Sequence, residues 1–375
     1  YPVMRKWLAE CRTSQFDDGK IANIAPKNNK SSFFSGLLAG SVGWGDACII
    51  VPYEMYRRYG DARILSENYE MMKKWYVFLE ERAKKRPVNP VKRFKRNPYR
   101  RYTIETGVDY GEWCEPDVES TSAMRTPQGK VATAFFAYSG RMLAEIAAIL
   151  GKEDDAAYYS KTAEMAKKAW RFIATEDGKI SSDRQADYVR ALAFGLLDGD
   201  EARQAAADLN ELVKKCGYHL NTGFLSTPNL TRVLCDYGYE DTAYKLLLQD
   251  TRPGWLYEVK KGATTIWETW DGINEKGEVK ASLNHYSYGA ICGWILDAVC
   301  GIQVSDGKIR ICPHPDKVLG YAKASYQSPY GRIESGWKYD GDKVTYEFEI
   351  PSNTHAEVIL PDGRREVLDS GRYSL

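Results

Sequence analysis

The residues with the clearest chemical potential lie at positions 262–272, in the sequence GATTIWETWDG. Two carboxylates, Glu268 and Asp271, stand beside two indoles, Trp267 and Trp270. An indole can stack on the C–H face of a pyranose, and a carboxylate in a low-dielectric cleft can exchange a proton with water or with a leaving oxygen. The pattern therefore indicates a sugar-cleaving site. The structural alternative makes the indoles core residues and gives Glu268 a helix-capping or ion-pairing role.

A second polar and aromatic segment, SLNHYSYG, follows at residues 282–289. It contains His285, one of only four histidines in the chain. A histidine in this context would bind a sugar hydroxyl or hold Glu268 in position, whereas an isolated histidine is more often structural.

The two segments together resemble the C-terminal half of the catalytic domain of bacterial α-L-rhamnosidases, family 78 of the glycoside hydrolases. Other stretches resemble the same family in the same order, so that nearly the whole chain is covered. These stretches are GWGDACIIVPYEMYRRYGD (43–61), DYGEWCEP (109–116), HLNTGFLSTPNL (219–230), PGWLYEVKKGATTIWE (253–268) and, for the C-terminal β-domain, PYGRIESGWKYDGDKV (329–344).

The resemblance implies an exo-acting enzyme that removes terminal non-reducing α-L-rhamnose from glycosides or oligosaccharides with inversion. Inversion uses two carboxyl groups about 6.5–9.5 Å apart, one to protonate the leaving oxygen and one to deprotonate a water. By resemblance, Glu268 is the general base. The substrate-binding residues that the resemblance implies are Trp44, Asp46, Glu112, Trp113, Trp267, Trp270 and His285.

Several of these binding residues have a structural alternative. Asp46 opens a predicted helix, where Asp is a favoured N-cap, although its carboxylate could instead accept sugar hydroxyls. Trp113 would stack on the sugar or belong to the core. Glu112 would bind the sugar or orient Trp113, and the family often has Asp at this place.

The general acid of the family belongs to a motif of the type D-x-x-x-R-E/D-x-x-G-W-x-G-D, which does not occur in this sequence. In the family this motif lies just before the segment that begins here at Tyr1. We therefore expect the N-terminal part of the barrel, with the acid, to be missing. If the chain is complete, Glu112 or Asp46 is the stand-in acid, a role that the family pattern does not support.

The composition is that of an ordinary globular protein, with 375 residues, 43% hydrophobic and 27% charged, and a net charge of +1. The small net charge argues against a nucleic-acid partner, and no apolar run of 18 residues predicts a membrane span. The eight cysteines are scattered and form no CxxC or Cys/His pattern. We therefore expect no metal site, no cofactor and a reducing, cytoplasmic compartment. The sequence leaves the oligomeric state open.

Residues 3–300 carry helical periodicity and predict a mainly α domain. A Gly at the end of one helix and acidic residues at the start of the next recur at 59–64, 150–159, 197–206 and 237–247. Such corners indicate stacked helical hairpins, which a closed toroid would bury. The resemblance implies an (α/α)6 toroid of twelve helices. We predict about ten: Val3–Cys11, Asp46–Tyr59, Ser66–Lys85, Val131–Leu150, Asp154–Thr175, Gln185–Leu197, Glu201–Cys216, Thr227–Tyr237, Asp241–Leu248 and Ser287–Cys300.

The pattern changes after Gly301 to apolar–polar alternation, broken by turn pairs such as Asp340-Gly341 and Asp362-Gly363. This pattern predicts a small antiparallel β-sandwich with a packing role. The expected domains are therefore a barrel at residues 1–300 and a β-domain at residues 301–375.

The segment at residues 84–101, KKRPVNPVKRFKRNPYRR, holds nine Lys or Arg and three prolines. A solvated loop between two hairpins is the simplest interpretation. A rim that contacts an acidic, uronate-containing glycan is a second interpretation. Nucleic-acid binding is a third, but no nucleic-acid fold signature accompanies it.

Three functions compete at this point. An inverting α-L-rhamnosidase is favoured over another (α/α)6 glycosidase, such as a trehalase-like or glucoamylase-like enzyme, by the combination of WETWDG and LNHYSYG. A non-catalytic glycan-binding toroid is favoured by the absence of the acid motif. A panel of chromogenic glycosides separates the two enzymes. Glycan binding without turnover, even after the N-terminal segment is restored, favours the third function.

Overall fold

The computed structural model describes residues 1–27, 39–86, 97–119 and 128–375. Most of the basic segment, at 87–96, lies outside the described residues, so its interpretations stay untested. Contacts divide the chain into two compact units. The first comprises Tyr1–Tyr56 and Asp61–Asn229, and the second comprises Arg57–Gly60 and Leu230–Leu375.

Helices build the first unit, because its apolar residues recur at helical spacing and fill a common core. Trp75 and Trp170 are 0% and 2% exposed and are among the largest side chains in that core. The helices are α1 (Pro2–Ser14), α2 (Ala47–Tyr59, whose last turn is counted with the second unit), α3 (Arg63–Lys84), α4 (Gly129–Ile149), α5 (Glu153–Ala174), α6 (Gln185–Ala193) and α7 (Gly199–Lys215). A 3-10 turn at Arg100–Tyr102 and a ribbon of β1 (Thr175–Glu176) and β2 (Lys179–Ile180) complete the regular elements described here.

The hairpin of α4 and α5 illustrates the predicted corners. Most of α4 is buried, which accounts for its nearly continuous apolar sequence. Helix α5 opens with Glu153, Asp154 and Asp155 in its first turn, where carboxylates interact favourably with the positive end of the helix dipole. Acidic first turns also open α7 and a later helix at Glu240–Leu247.

Short helices make up the α-helical part of the second unit. They are α8 (Thr227–Asp236, which starts in the first unit), α9 (Glu240–Leu247), α10 (Trp255–Lys260) and α11 (Ile291–Trp294), with a 3-10 turn at Ser287–Ala290 and a π-helical turn at Ile295–Val299. The predicted helix at Ser287–Cys300 is therefore three short pieces. Helix α10 was not predicted, because six residues give no helical periodicity to detect.

The C-terminal strands form one six-stranded sheet, ordered β3-β4-β7-β6-β5, with β8 paired to β7. The strands are β3 (Ile302–Ser305), β4 (Lys308–Ile311), β5 (Tyr321–Ser328), β6 (Gly331–Asp340), β7 (Lys343–Ile359) and β8 (Arg365–Ser374). The pairs are antiparallel except for β4 and β7, which run parallel, with Ile309 opposite Ala356. This parallel pair corrects the wholly antiparallel expectation. A register shift between Ile350 and His355 interrupts the pairing of β7 with β8.

The last helical element ends at Val299 and the first strand of the sheet begins at Ile302, beside the boundary expected at 300/301. The contact division falls earlier, between Asn229 and Leu230. The boundary between the compact units therefore does not coincide with the change from helices to strands. The domain boundary itself stays a prediction.

Candidate active site

The segments GATTIWETWDG (262–272) and SLNHYSYG (282–289) supply the two arms of one irregular hairpin, residues 266–285. The amide of Glu268 donates to the carbonyl of Ser282 at 2.9 Å, and the amide of His285 donates to the carbonyl of Ile266 at 2.9 Å. Nearer the turn, Ile273 forms an antiparallel bridge with Val279. This backbone pairing brings the carboxylate and the imidazole onto adjoining arms, although sixteen positions separate them in the sequence.

Glu268 is half-buried at the start of this pairing. One carboxylate oxygen, Oε2, accepts a hydrogen bond of 3.3 Å from the amide of Ser282, so the side chain lies along the opposite arm. A carboxylate that is fixed at one oxygen and still reachable by solvent can accept a proton from a water molecule. The geometry is consistent with the predicted base role and does not test it.

The neighbouring indoles lie in the core. Trp267 and Trp270 are 1% and 3% exposed, and Trp270 stacks on Tyr288 with ring centroids 4.1 Å apart. Trp255 of α10 meets Trp270 edge to face at 5.4 Å. Indole faces that are covered by protein cannot also stack on a sugar, so this burial favours core packing over the predicted stacking on the sugar. The two indoles instead hold the hairpin that carries Glu268.

His285 is half-buried, and its ring stacks on that of Tyr286 at 5.3 Å. The amide of Ser287 donates to Nδ1 of His285 at 3.3 Å. Because Nδ1 accepts, the neutral imidazole carries its hydrogen on Nε2, which is then a donor suited to a hydroxyl or carboxylate oxygen.

A second group of predicted residues is found in the first unit. Trp44 and Trp113 both contact Tyr110 edge to face, with centroid separations of 5.1 and 5.4 Å. All three rings are half-buried, in contrast to Trp267 and Trp270. These three residues, Trp44, Tyr110 and Trp113, form what we call the aromatic cluster, whose partly exposed rings can stack on a sugar.

Asp46 lies beneath the loop that carries Trp44 and is 0% exposed. Its carboxylate accepts hydrogen bonds from Ser139 Oγ at 2.6 Å, from the Gly43 amide at 2.7 Å and from Trp75 Nε1 at 3.2 Å. Burial raises the pKa of Asp46, and these hydrogen bonds oppose the rise. A carboxylate committed to three protein donors favours a role in holding the loop over direct binding of sugar hydroxyls.

Gly45 makes the hydrogen bond between Trp75 and Asp46 possible. A Cβ at this position would lie 2.4 Å from the Trp75 ring, closer than any side chain can approach. The glycine therefore lets the indole reach the carboxylate, which gives the GWGD sequence a packing explanation.

Glu112 is also buried, with 3% exposure. Its Oε1 accepts the amides of Gly223 and Ser226, each at 2.9 Å, and its Oε2 accepts the Ser226 hydroxyl at 2.8 Å. The Arg190 guanidinium completes the set with a buried ion pair. These contacts fix the backbone next to Trp113, so the structure favours the orienting role of Glu112 over direct sugar binding.

The predicted residues thus fall into two groups, one in each unit. Glu268, His285, Trp267 and Trp270 are brought together by the hairpin, and Trp44, Asp46, Glu112 and Trp113 by two linked loops. The prediction did not include Tyr110, which contacts both half-buried indoles, or Glu258, a buried carboxylate beside Trp267. Tyr110 stands two residues before Glu112 in a recognised motif, a signal that could have identified it.

Among the described residues, no cluster of three or more His, Cys, Asp or Glu side chains has the arrangement of a metal site. In the same part of the chain, no helix has the length and apolar character to cross a membrane.

Comparison with known proteins assigns the class first. The family model of the bacterial α-L-rhamnosidase six-hairpin glycosidase domain matches residues 1–299, and that of the bacterial α-L-rhamnosidase C-terminal domain matches residues 307–374. The fold is therefore a six-hairpin glycosidase domain followed by a sheet domain, which confirms the predicted mainly α, (α/α)6 class. The chain belongs to the bacterial α-L-rhamnosidase family.

Individual relatives agree with this assignment. An α-L-rhamnosidase of Formosa agariphila is 34% identical over 98% of this chain and 38% of its own length. An α-L-rhamnosidase of Streptomyces avermitilis is 34% identical over 96% of this chain and 32% of its own length. The crystal structure of Streptomyces avermitilis α-L-rhamnosidase complexed with L-rhamnose has a TM-score of 0.84 and 31% identity, covering 99% of this chain and 36% of that chain. The chain thus spans about two fifths or less of the relatives it matches.

Proposed function

We propose that this chain acts in the hydrolysis of terminal non-reducing α-L-rhamnose from glycosides or oligosaccharides, with inversion and with Glu268 as the general base. The single observation that carries the proposal is the geometry of the 266–285 hairpin. Solvent can reach Glu268 on one arm, and the backbone of this arm pairs with the arm that carries His285. The names of the relatives supply the substrate class.

In the proposed reaction, the Glu268 carboxylate takes a proton from water while the water oxygen forms a bond to the anomeric carbon. The bond from that carbon to the leaving oxygen breaks, and an acid protonates the leaving oxygen. The Nε2–H of His285 would bind a sugar hydroxyl or the Glu268 carboxylate, so that the base faces the incoming water.

We assign the general-acid role to neither Asp46 nor Glu112. Asp46 and Glu112 each accept three or more hydrogen bonds from the protein and are 0% and 3% exposed, so neither is placed to reach a leaving group. A second candidate function is a glycan-binding protein without turnover, which the partly exposed rings of Trp44, Tyr110 and Trp113 support.

The aromatic cluster is the proposed sugar-stacking surface of the first unit, with Asp46 and Glu112 as residues that hold it. The proposed partners are rhamnosylated small glycosides or oligosaccharides, including acidic ones. The eight cysteines are scattered without a CxxC or Cys/His pattern, which supports the cytoplasmic location that we propose.

The test compares the chain with its Glu268→Gln variant on p-nitrophenyl α-L-rhamnoside, with Glu278→Gln as the matched control on the exposed turn of the same hairpin. We expect Glu268→Gln to lose about 10²–10⁴-fold in rate and the control to lose nothing. NMR of the first-formed rhamnose should show the inverted anomer. Near-normal turnover by Glu268→Gln would remove Glu268 from the mechanism. Binding of L-rhamnose without turnover in either protein would favour the second candidate.

A further inference from the structure

A buried carboxyl group lies directly behind the hairpin. Glu258 belongs to helix α10 and is 2% exposed. Its Oε2 accepts the amide N–H of Trp267 at 3.2 Å, and its Oε1 is buried without a hydrogen-bond partner in the described part of the chain. A buried carboxyl group with one hydrogen bond costs stability, so its presence calls for a function.

The peptide unit that Glu258 holds is shared with the candidate site. The Ile266–Trp267 peptide donates its N–H to Glu258 and accepts, through its carbonyl, the amide of His285 at 2.9 Å. Because a peptide unit is planar, fixing its N–H also fixes the direction of its carbonyl. Rotation of this peptide plane would therefore displace His285 on one arm and Glu268, which directly follows Trp267, on the other arm.

Helix α10 is itself anchored to one arm of the hairpin and to the 3-10 turn that follows the other arm. The Trp255 indole packs edge to face on Trp270 at 5.4 Å, and its Nε1 donates to the carbonyl of Tyr288 at 3.0 Å. These two contacts hold the helix against Trp270 and Tyr288, and the Glu258 side chain of the same helix accepts the amide of Trp267, next to Glu268.

We propose that Glu258 is a positioning residue for the reaction: its carboxyl group clamps the Ile266–Trp267 peptide and so holds Glu268 and His285 in register. The role in catalysis rests on the proposed function, whereas the clamp itself does not. In this role Glu258 does not contact the substrate and acts only through the backbone of the hairpin.

The ionisation of Glu258 supplies a spectroscopic signature for the clamp. Burial raises the pKa of Glu258 to about 7, and the hydrogen bond from Trp267 opposes the rise. The other titratable groups on the hairpin and the helix are all at least partly exposed: Glu268, Asp271, Glu275, Lys276, Glu278, Lys280 and His285 on the hairpin, Tyr257 and Lys260 on the helix, and Lys261 at its C-cap. The Trp267 amide should therefore report the titration of the one carboxyl group to which it is bonded.

The test uses three variants of the chain labelled with ¹⁵N-tryptophan. Glu258→Gln keeps an acceptor that cannot ionise, Glu258→Leu removes the acceptor, and Val259→Ala is the control at the exposed neighbouring position. We expect the Trp267 amide of the wild type and of the control to titrate with a midpoint near pH 7, as the pKa of Glu258 predicts. This titration should vanish in Glu258→Gln, while hydrogen-exchange protection of the amide persists there and is lost in Glu258→Leu.

Turnover of p-nitrophenyl α-L-rhamnoside separates positioning from a structural role. We expect Glu258→Leu to lose about 10- to 100-fold in kcat with little change in KM, and Glu258→Gln to restore most of the rate. Unchanged hydrogen-exchange protection of the Trp267 amide in Glu258→Leu overturns the clamp. A titration of this amide that survives in Glu258→Gln also overturns it. The Glu258→Gln result decides the question if Glu258→Leu does not fold. Lost protection with normal turnover overturns the positioning role. Absence of turnover in the wild type is a failure of the proposed function and leaves the exchange result on the clamp readable.

Discussion

Glu112 and Arg190 form an ion pair in which the two side chains are 1% and 2% exposed. Arg190 also pairs with Asp187 on its own helix, and Glu112 receives the amides of Gly223 and Ser226. The pair thereby ties helix α6 to the loop that precedes Trp113 and to the segment that begins α8. Since both charges are removed from water, each depends on the other for compensation.

Removal of one charge from this pair should cost much of the stability of the first unit. We expect Glu112→Gln to lower the free energy of unfolding by about 3 kcal/mol, because it removes one of the two carboxylates that form ion pairs with Arg190 among the described residues. Urea denaturation provides the measurement. Asp200→Asn is the matched control, since its partner Arg203 is exposed, and it should cost less than about 0.5 kcal/mol. Equal losses in the two variants would show that burial adds nothing to the pair.

Close backbone packing should make Gly223 intolerant of a side chain. A Cβ at this position would lie 2.2 Å from the carbonyl oxygen of Trp113. We expect Gly223→Ala to lower the free energy of unfolding by about 2 kcal/mol and to weaken L-rhamnose binding, because the backbone of Trp113 must move. Gly293→Ala, where a Cβ meets nothing within 4 Å, is the control and should be neutral in both measurements. Binding that survives the loss of stability would separate Trp113 from the sugar site.

The half-buried indole of Trp113 and the buried indole of Trp270 should respond differently to substitution. Trp113 belongs to the half-buried aromatic cluster, whereas Trp270 is 3% exposed beneath the hairpin. We expect Trp113→Ala to weaken L-rhamnose binding about tenfold with a small loss of stability. Trp270→Ala should lower the free energy of unfolding by about 3–5 kcal/mol. Isothermal titration and urea denaturation on both variants measure the two effects, and the reverse ranking would contradict the assignment of stacking to the first unit.

Most helices could be placed from the sequence, because their caps and periodicity are local signals. The predicted Asp154–Thr175 and the observed Glu153–Ala174 differ by one residue at each end. The stretch after Ser287 was harder, since its apolar spacing does not reveal the changes from 3-10 to α to π turns. The parallel pairing of β4 with β7 could not be predicted from the sequence. The alternation of apolar and polar residues indicates which face of a strand is buried, and it does not indicate which strand lies beside it.

The candidate site was predictable as a set of motifs but not as a geometry. WETWDG and LNHYSYG identified Glu268 and His285, and the backbone pairing between the motifs explains why they occur together. The burial of a residue could not be predicted from these motifs. Trp44 and Trp267 were therefore both predicted to bind the sugar, although Trp44 is half-buried and Trp267 is in the core. Glu258 was missed because a carboxylate on a six-residue helix has no periodic context.

The elevated pKa of Glu258 has a direct consequence for stability. An unfolded glutamate titrates near 4.5, whereas burial raises the pKa of Glu258 in the folded chain to about 7. Between these two values the folded state binds a proton that the unfolded state does not bind. The contribution of the neutral carboxyl group to stability is therefore fully present below about pH 4.5 and is lost as the pH rises to about 7.

We expect Glu258→Gln to become more stable relative to the wild type as the pH is raised through this window, because glutamine has no proton to lose. The difference in the free energy of unfolding should grow by about 2–3 kcal/mol between pH 5 and pH 8, at up to about 1.4 kcal/mol per pH unit for one proton. Urea denaturation of both proteins at each pH unit measures it. Glu278→Gln removes an exposed carboxylate from the turn of the hairpin and should follow the wild type at every pH. Parallel curves for Glu258→Gln and the wild type would mean that Glu258 is already ionised when folded, and that the 266–285 hairpin is held by a charged acceptor instead of a neutral one.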